Sequence, residues 1–222
     1  MRGRFITFEG GEGTGKSTHA ATVAARLKAL GIGVQLTREP GGTVGGEIIR
    51  YVLLSGAVKP LGPDVEAVMF AAARDDHLNN LIRPALAAGK WVVSDRFADS
   101  TRVYQGAVGQ VDQRTIRALE RVIVGDTWPD LTIILDVPAA QGLRRAARRR
   151  GKSSSDRFEG EGIEFHEKLR DGFLMLAANE PDRCVLVDAS GPKEQVAERV
   201  WRVIVKRLDP ATAPLQFEDA AF

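Results

Sequence analysis

Five short apolar runs along the chain have the length and composition of buried β-strands, and they lie at residues 4–8, 33–37, 91–94, 131–136 and 184–187. Each run is followed by turn residues and then by a helical pattern of apolar positions. This alternation predicts an α/β fold, a five-stranded parallel sheet with helices on both faces. The runs are nearly continuous in hydrophobicity, which is what strands covered on both faces require.

Helical spacing of apolar residues predicts the layers around this sheet. Such spacing occurs in residues 17–30, 63–88 and 162–178, and again after Pro192. Pro84 is expected to kink the second of these helices or to separate two helices, because proline removes a helical hydrogen bond. Residues 1–208 are therefore predicted to form a single domain, and residues 209–222 a flexible tail.

The most informative stretch lies between the first strand and the first helix. It reads Gly10-Gly11-Glu12-Gly13-Thr14-Gly15-Lys16-Ser17 and matches G-x-x-x-x-G-K-[ST] at every fixed position. In this motif the glycines let backbone N–H groups surround a phosphate chain, and the helix that follows adds its positive dipole end. Lys16 is then expected to reach the β- and γ-phosphates, and Ser17 to ligate Mg²⁺. The alternative is a glycine-rich turn that binds nothing, but the order strand, loop, helix favours an ATP or GTP site.

Ligands of such sheets bind at the carboxyl ends of the strands, so the residues that follow each strand are candidates. After the second strand, Arg38 is placed to meet a second phosphate, with a solvated surface arginine as the alternative. The third strand ends in Asp95 and Arg96. Asp95 is placed to help hold Mg²⁺, directly or through water, or to take a proton from a phosphate acceptor. Arg96 either clamps the acceptor phosphate or pairs with an acid.

A further candidate pair is Phe70 and Arg74, which lie four residues apart and share a helix face. An aromatic ring beside a guanidinium can sandwich and read a nucleotide base. On spacing alone, however, a core phenylalanine with a neighbouring surface arginine is the favoured interpretation.

Residues 144–152 hold six basic residues in nine and lead into a polar, serine-rich stretch. A flexible, arginine-rich excursion opposite a P-loop predicts a lid, at about residues 144–160, that closes over the triphosphate. Nucleic-acid binding is the competing interpretation of a basic run. It is disfavoured because the sequence indicates no second basic or aromatic surface to extend it.

Composition adds bounds on location and partners. A net charge of +2 over 222 residues indicates neither a nucleic-acid nor a membrane partner. The single cysteine, Cys184, excludes a disulfide framework and a multi-cysteine metal site, and it favours a reducing compartment, so we expect a cytoplasmic protein. The sequence indicates no secretory leader and no apolar run that approaches the length of a membrane span.

Taken together, these stretches resemble the bacterial thymidylate kinases (dTMP kinases), which belong to the P-loop nucleoside-monophosphate kinases. The resemblance runs from Phe5 to about Leu208. Beyond the P-loop it rests on R-E-P-G-G at 38–42, on D-R-F at 95–97 with serine at 100 and Y-Q-G at 104–106, and on D-R-F-E at 156–159. The P-loop alone is shared by many activities, whereas these pieces in combination are far more restrictive.

The resemblance implies the reaction ATP + dTMP ⇌ ADP + dTDP with Mg²⁺, carried out by a homodimer. It implies that the P-loop and Thr18 bind ATP, and that Arg38 and Arg96 hold the dTMP phosphate. It further implies that Phe70 stacks on thymine and that Arg74 donates to its O4. The residues implied around the deoxyribose and base are Glu12, Thr101, Tyr104 and Gln105.

The resemblance also bears on the arginine that enters the transition state. Positions 11–14 of the P-loop contain no arginine, so this chain resembles the members in which the lid supplies one. The candidates are Arg145, Arg148, Arg149 and Arg157.

Two other function classes remain to be weighed. One is another small kinase on the same scaffold, acting on a deoxynucleoside or a different monophosphate, although two acceptor-phosphate arginines disfavour an acceptor without phosphate. The other is a GTP-binding switch. The guanine-reading N-K-x-D is absent, and Ser94-Asp95-Arg96-Phe97 stands where a switch would carry D-x-x-G.

Overall fold

The computed structural model describes residues 2–150 and 157–212. Five strands form one parallel sheet in the order β2-β3-β1-β4-β5. Their bounds are β1 (Phe5–Glu9), β2 (Val34–Arg38), β3 (Trp91–Asp95), β4 (Leu131–Asp136) and β5 (Cys184–Asp188). The predicted five-stranded parallel sheet is confirmed, and each predicted run matches its strand to within one residue at either end.

Helices cover both faces of the sheet. Their bounds are α1 (Lys16–Ala29), α2 (Val44–Leu54), α3 (Pro63–His77), α4 (Arg83–Ala87), α5 (Ala98–Thr101), α6 (Gln113–Ile123), α7 (Ala139–Arg150), α8 (Ile163–Asn179) and α9 (Lys193–Leu208). Short 3₁₀ turns occur at Lys59–Leu61 and Pro210–Thr212. No helix in the described ranges is long and apolar enough to cross a membrane.

The side chains of the central strand β1 alternate between two cores. Ile6 and Phe8 pack with α1 and α9, whereas Phe5 packs with the segment around α4 on the other face. All three side chains are fully buried. Burial on both faces explains why the strands are nearly continuous in hydrophobicity rather than alternating with polar residues.

The long helical pattern of residues 63–88 is divided in two, as one of the alternatives for Pro84 predicted. A π-helical turn, Leu78–Ile82, joins α3 to α4, and Pro84 is the second residue of α4. Because proline has no amide hydrogen, a regular ladder cannot continue through it, and the helix widens in the turn just before it.

The helices α2 and α6 were not among those located by apolar spacing, although each has a recognisable N-terminal cap. The hydroxyl of Thr43 accepts a hydrogen bond from the Gly46 N–H in α2, and the carboxylate of Asp112 accepts one from the Arg114 N–H in α6. Two glycines in the first turn of α2 weaken its helical signal.

The arginine-rich segment is more ordered than predicted over its first half. Residues 144–150 are the C-terminal half of α7, so the predicted lid begins within a helix. Residues 151–156 lie outside the described ranges, as do residues 213–222 of the predicted tail. The second described range begins at Arg157, whose backbone N–H donates to the carbonyl of Leu54 at the end of α2.

Candidate active site

The P-loop joins β1 to α1, and its shape depends on glycine at two close contacts. Gly10 has φ of 129°, and a Cβ there would lie 2.4 Å from the Leu135 carbonyl oxygen. Gly13 has φ of 66°, and a Cβ there would lie 1.9 Å from the carbonyl oxygen of Gly142 in α7. Both conformations favour glycine, and any side chain at these positions would push the loop off its support.

Lys16 lies within this loop in a buried position. Its ammonium donates hydrogen bonds to the carbonyl oxygens of Gly10 at 3.1 Å and Gly11 at 2.7 Å. Burial, together with the nearby charge of Arg96, lowers the pKa of Lys16 to about 8, although Glu12 among other acids opposes this shift. A buried ammonium with too little negative charge around it favours an anionic ligand such as a phosphate.

Ser17 and Asp95 lie in contact at the carboxyl end of the sheet. Both side chains offer oxygen atoms, which are the ligands of a magnesium site. The hydroxyl of Ser17 donates to Oδ2 of Asp95, which ends β3. The other carboxylate oxygen, Oδ1, is buried and has no hydrogen-bond partner among the described residues. A serine hydroxyl beside an unsatisfied carboxylate oxygen fits Mg²⁺, which takes few protein ligands and completes its shell with phosphate oxygens and water. The described ranges contain no cluster of three or more His, Cys, Asp or Glu side chains suited to a metal.

Arg96 follows β3 in the left-handed conformation, with φ of 72°. That conformation costs a non-glycine residue about 1–2 kcal/mol, and Glu9 stabilises the turn around it. The carboxylate of Glu9 accepts hydrogen bonds from the Phe97 N–H at 2.8 Å and from the Ser100 hydroxyl at 2.7 Å. Burial and the charge of Asp99 raise the pKa of Glu9 to about 7.

The guanidinium of Arg96 is thereby directed at Glu12 and Tyr104. Its Nη2 donates to Glu12 Oε1 at 2.6 Å and to the Tyr104 hydroxyl at 2.9 Å, and the tyrosine in turn donates to the same carboxylate at 2.8 Å. Burial raises the pKa of Glu12, but Arg96 and Lys16 outweigh burial and lower the pKa to about 2. Glu12 is therefore a carboxylate, and it orients one cation and one hydroxyl toward the cavity.

Arg74 is buried rather than exposed, so the alternative of a surface arginine is wrong. Its side chain is 5% exposed, and its Nε donates to Glu39 at 2.8 Å. Its Nη2 donates to the Thr101 hydroxyl at 3.1 Å and to the Phe97 carbonyl at 3.3 Å. Two of its three nitrogens are thus held by protein oxygens, which leaves Nη1 for a ligand. Phe70 is half-buried and lines the same cavity.

One cavity of about 270 Å³ brings most of the predicted residues together. Its lining includes Glu12, Gly13, Gly15, Lys16, Ser17, Thr18, Arg38, Phe70, Arg74, Asp95, Arg96, Thr101, Tyr104, Gln105 and Arg149. The P-loop residues Gly10, Gly11 and Thr14 lie instead on a smaller neighbouring cavity. Sequence reasoning assigned no role to several other lining residues, which are Glu39, Pro40, Arg50, Leu54, Phe97, Ser100, Phe158 and Glu159.

The candidate arginines differ in where they point. Arg38 reaches the cavity with its side chain 53% exposed and pairs with Glu47 at 2.8 Å. Arg149 also lines the cavity and pairs with Glu159 at 2.9 Å. Arg157 does not line it, and instead pairs with the buried Glu66 at 3.1 Å.

Two further arginines of α7, Arg145 and Arg148, lie away from the cavity. Arg145 donates to the carbonyl oxygens of Ala189 at 2.8 Å and Ser190 at 2.7 Å, beyond the end of β5. Arg148 is exposed and does not line the cavity. Of the four arginines considered for the transition state, Arg149 is thus the one that reaches the cavity.

Comparison with known proteins places the chain among nucleotide kinases. The family model described as thymidylate kinase matches residues 8–200. A thymidylate kinase of Bradyrhizobium diazoefficiens is 57% identical over 212 residues, covering 96% of this chain and 93% of that protein. One from Afipia carboxidovorans is 56% identical over 210 residues, covering 95% and 92%. The crystal structure of thymidylate kinase from Ehrlichia chaffeensis is 31% identical with a TM-score of 0.74, covering 92% of this chain and 100% of that one.

Proposed function

Since this chain belongs to the thymidylate kinase family, we propose how its residues carry out the phosphorylation of dTMP. The chain transfers a phosphoryl group from ATP to dTMP, giving ADP and dTDP. The supporting observation is that one cavity joins the P-loop lysine to the pair Phe70 and Arg74. A donor and an acceptor nucleotide bound in that cavity meet end to end, and positioning of this kind is most of what phosphoryl transfer requires.

On the donor side, we propose that the P-loop and Thr18 bind the triphosphate of ATP. Lys16 neutralises charge on the β- and γ-phosphates, and its lowered pKa reflects a site built for an anion. We propose that Ser17 and Asp95 hold Mg²⁺, supported by the buried, unpartnered carboxylate oxygen of Asp95. When bound, the cation would neutralise charge that develops on the phosphate oxygens.

On the acceptor side, we propose that Arg96 and Arg38 bind the dTMP phosphate. Arg96 is held by Glu12 and Tyr104, so its guanidinium is oriented before the substrate arrives. The carboxylate of Glu12 and the hydroxyl of Tyr104 in turn face the deoxyribose. Because burial raises the pKa of Tyr104, its hydroxyl keeps its proton and donates.

We propose that the thymine base lies between Phe70 on one side and α5 with the π-helical segment that follows it, Arg102–Val108, on the other. Phe70 stacks on the ring, and Thr101 and Gln105 line the base and sugar. Nη1 of Arg74 donates to the thymine O4, because the other two guanidinium nitrogens are already bonded to protein oxygens. An arginine only donates, so this position accepts a base with an oxygen there and disfavours one with an amino group.

We propose Arg149 as the arginine that stabilises the transition state, with residues 144–160 acting as a lid. Its support is that Arg149 lines the cavity on the last turn of α7 and that its side chain is 64% exposed while it pairs with Glu159. Arg157 is reassigned as an anchor, because its guanidinium is tied to Glu66 and Glu161 outside the cavity. The lid would thus be attached through α7 at one end and through Arg157 at the other.

We further propose a homodimer formed through α2 and α3, which pack on each other. Along α2, Val44, Ile48 and Tyr51 are 83%, 64% and 78% exposed, and their spacing puts them on one face. A contiguous exposed apolar stripe is typical of an interface. Sedimentation should find a dimer for the wild type and for Met175→Asp, an exposed site on α8, and a monomer for Ile48→Asp. A monomeric wild type would refute the proposal.

We propose the cytoplasm as the location of the chain. The support is its single cysteine, Cys184, which is a free and buried thiol. Burial raises the pKa of this thiol to about 12, so it stays protonated and unreactive.

A panel of acceptors tests the proposed site directly. With ATP and Mg²⁺ in a coupled assay for ADP, dTMP should be the best substrate, and dUMP should be weaker by about 10- to 200-fold in kcat/KM because it lacks the methyl group. The acceptor dCMP should be far weaker than either, since its amino group would face the guanidinium of Arg74. Equal use of dCMP and dTMP would contradict the proposed base pocket.

A further inference from the structure

A second cavity, of about 20 Å³, lies between the P-loop, the end of β4 and α8. Its polar lining comes from Gly10, Gly11, Glu12 and Thr14 of the P-loop, from the pair Asp136 and Arg170, and from His166 of α8. A buried water needs roughly 10–15 Å³ of such space and two to four polar partners. This cavity therefore has room for one water molecule and no larger ligand.

His166 is the residue in this cavity whose hydrogen bonding is incomplete. It is 4% exposed, and neither ring nitrogen has a hydrogen-bond partner among the described residues. An imidazole carries a donor and an acceptor when neutral, and leaving such groups buried and unpaired is unfavourable. One turn later, Nε and Nη2 of Arg170 donate to the two carboxylate oxygens of Asp136, at 2.7 and 2.9 Å. The helix is therefore anchored beside an imidazole that still requires a polar partner.

We propose that His166 is a positioning residue for the dTMP site, and that it acts through one buried water bridging its ring to the P-loop backbone near Glu12. Fixing this part of the loop fixes the carboxylate of Glu12, which orients Arg96 and Tyr104 at 2.6 and 2.8 Å. This inference rests on the proposed roles of Glu12 and Arg96 in binding dTMP. Gly10, Gly11 and Thr14 of the ATP-binding loop also line this cavity, but Lys16 and Ser17 do not. We therefore expect the main effect on the dTMP site, to which Glu12 is assigned.

The electrostatics of Glu12 agree with this arrangement. Burial raises the pKa of this carboxyl, whereas Arg96, Lys16 and Tyr104 lower it, and His166 adds a smaller contribution in the same direction. The imidazole is therefore close enough to Glu12 to act on it, although the two side chains share no hydrogen bond.

Two variants of His166 separate hydrogen bonding from packing. His166→Phe keeps an aromatic ring but has no polar atom, so the bridge is lost, and the KM for dTMP should rise about 3- to 10-fold, the effect of one hydrogen bond. The kcat and the KM for ATP should change little. His166→Gln retains a donor and an acceptor and should keep the KM for dTMP near that of the wild type. A purely structural role would instead lower stability and kcat in both variants, leave the KM for dTMP unchanged, and overturn the proposal.

A double-mutant cycle with Glu12→Gln tests the route of the effect. If His166 acts through Glu12, the rise in KM caused by His166→Phe should largely disappear in the Glu12→Gln background. Independent effects that simply multiply would overturn the inference while leaving the dTMP site intact. If Glu12→Gln by itself leaves dTMP binding unchanged, it is the proposed role of Glu12 that fails. A high-resolution crystal structure should further show an ordered water within hydrogen-bond distance of His166, absent in His166→Phe.

Discussion

Replacing Arg74 by glutamine tests both the base pocket and the buried ion pair that supports it. The side chains of Arg74 and Glu39 are each 5% exposed and meet at 2.8 Å. Glu39 also contacts Nδ1 of the fully buried His77 at 3.1 Å. Arg74→Gln therefore removes a candidate base contact and, at the same time, leaves Glu39 buried without its cation.

The two consequences have different magnitudes and are measured separately. Removing one partner of a buried ion pair costs about 3–5 kcal/mol of stability, a large fraction of the roughly 5–15 kcal/mol typical of a domain. The double variant Arg74→Gln/Glu39→Gln places two neutral amides where the ion pair was, so no buried charge is left without its partner. Urea unfolding should therefore show a large loss for the single variant and recovery of much of it in the double variant.

Catalysis in the double variant then reports on the base contact alone. Losing a hydrogen bond from a charged donor costs about 1.5–3 kcal/mol, which predicts a fall of roughly 10- to 150-fold in kcat/KM for dTMP. A glutamine amide can donate to the thymine O4 or accept from the cytosine amino group. The preference for dTMP over dCMP should consequently narrow sharply in the coupled ADP assay.

Two results would refute this reasoning. If the double variant keeps the wild-type preference for dTMP over dCMP, Arg74 does not read the base. If Arg74→Gln alone is as stable as the wild type, the carboxylate of Glu39 does not depend on Arg74, and the account of the buried pair is wrong.

Three further predictions follow from the site. Lys16→Met should fold normally and lower kcat on the order of 10²–10³-fold, measured by steady-state turnover beside a urea unfolding curve; near-normal turnover would contradict the P-loop assignment. Arg149→Ala should lower kcat on the order of 10³-fold with little effect on dTMP binding, whereas Arg148→Ala, its exposed neighbour on the same helix, should not; equal effects would remove Arg149 from the transition state. Glu9, whose pKa is raised to about 7 by burial and by the charge of Asp99, binds its proton more tightly when folded. Its contribution to stability is therefore fully present below about pH 4.5 and lost as the pH rises through 7. In thermal unfolding, the Tm of Glu9→Gln should therefore rise relative to the Tm of the wild type as the pH is raised from about 5 to 8.

The P-loop and the sheet were predictable because their signals are local. The P-loop motif from Gly10 to Ser17 is recognised from only eight consecutive residues, and each strand is predicted by its own apolar run. The candidate roles of Asp95 and Arg96 followed from a general property of parallel sheets, that ligands meet the carboxyl ends of strands. Asp95 and Arg96 line the same cavity as Lys16, at the carboxyl ends of the strands, as this property predicts.

Glu9 and Glu39 received no role from the sequence, because their partners are distant along the chain. Glu9 accepts from a backbone amide 88 positions away, and Glu39 from an arginine 35 positions away. An acid beside a P-loop or in a turn has many ordinary explanations. A carboxylate at the end of a mostly apolar strand was nevertheless a signal, since a buried charge requires partners.

The sequence by itself determined the positions of the five strands along the chain, the phosphate-binding loop and the kind of chemistry, since periodicity and short motifs are properties of neighbouring residues. Only the tertiary structure decided where each arginine lies and what it contacts. Arg74, Arg149 and Arg157 carry the same guanidinium, yet one is buried against Glu39, one reaches the cavity, and one is tied to Glu66 outside it. The role of a charged side chain depends on the acids, carbonyls and space around it, and folding brings those together from distant parts of the chain.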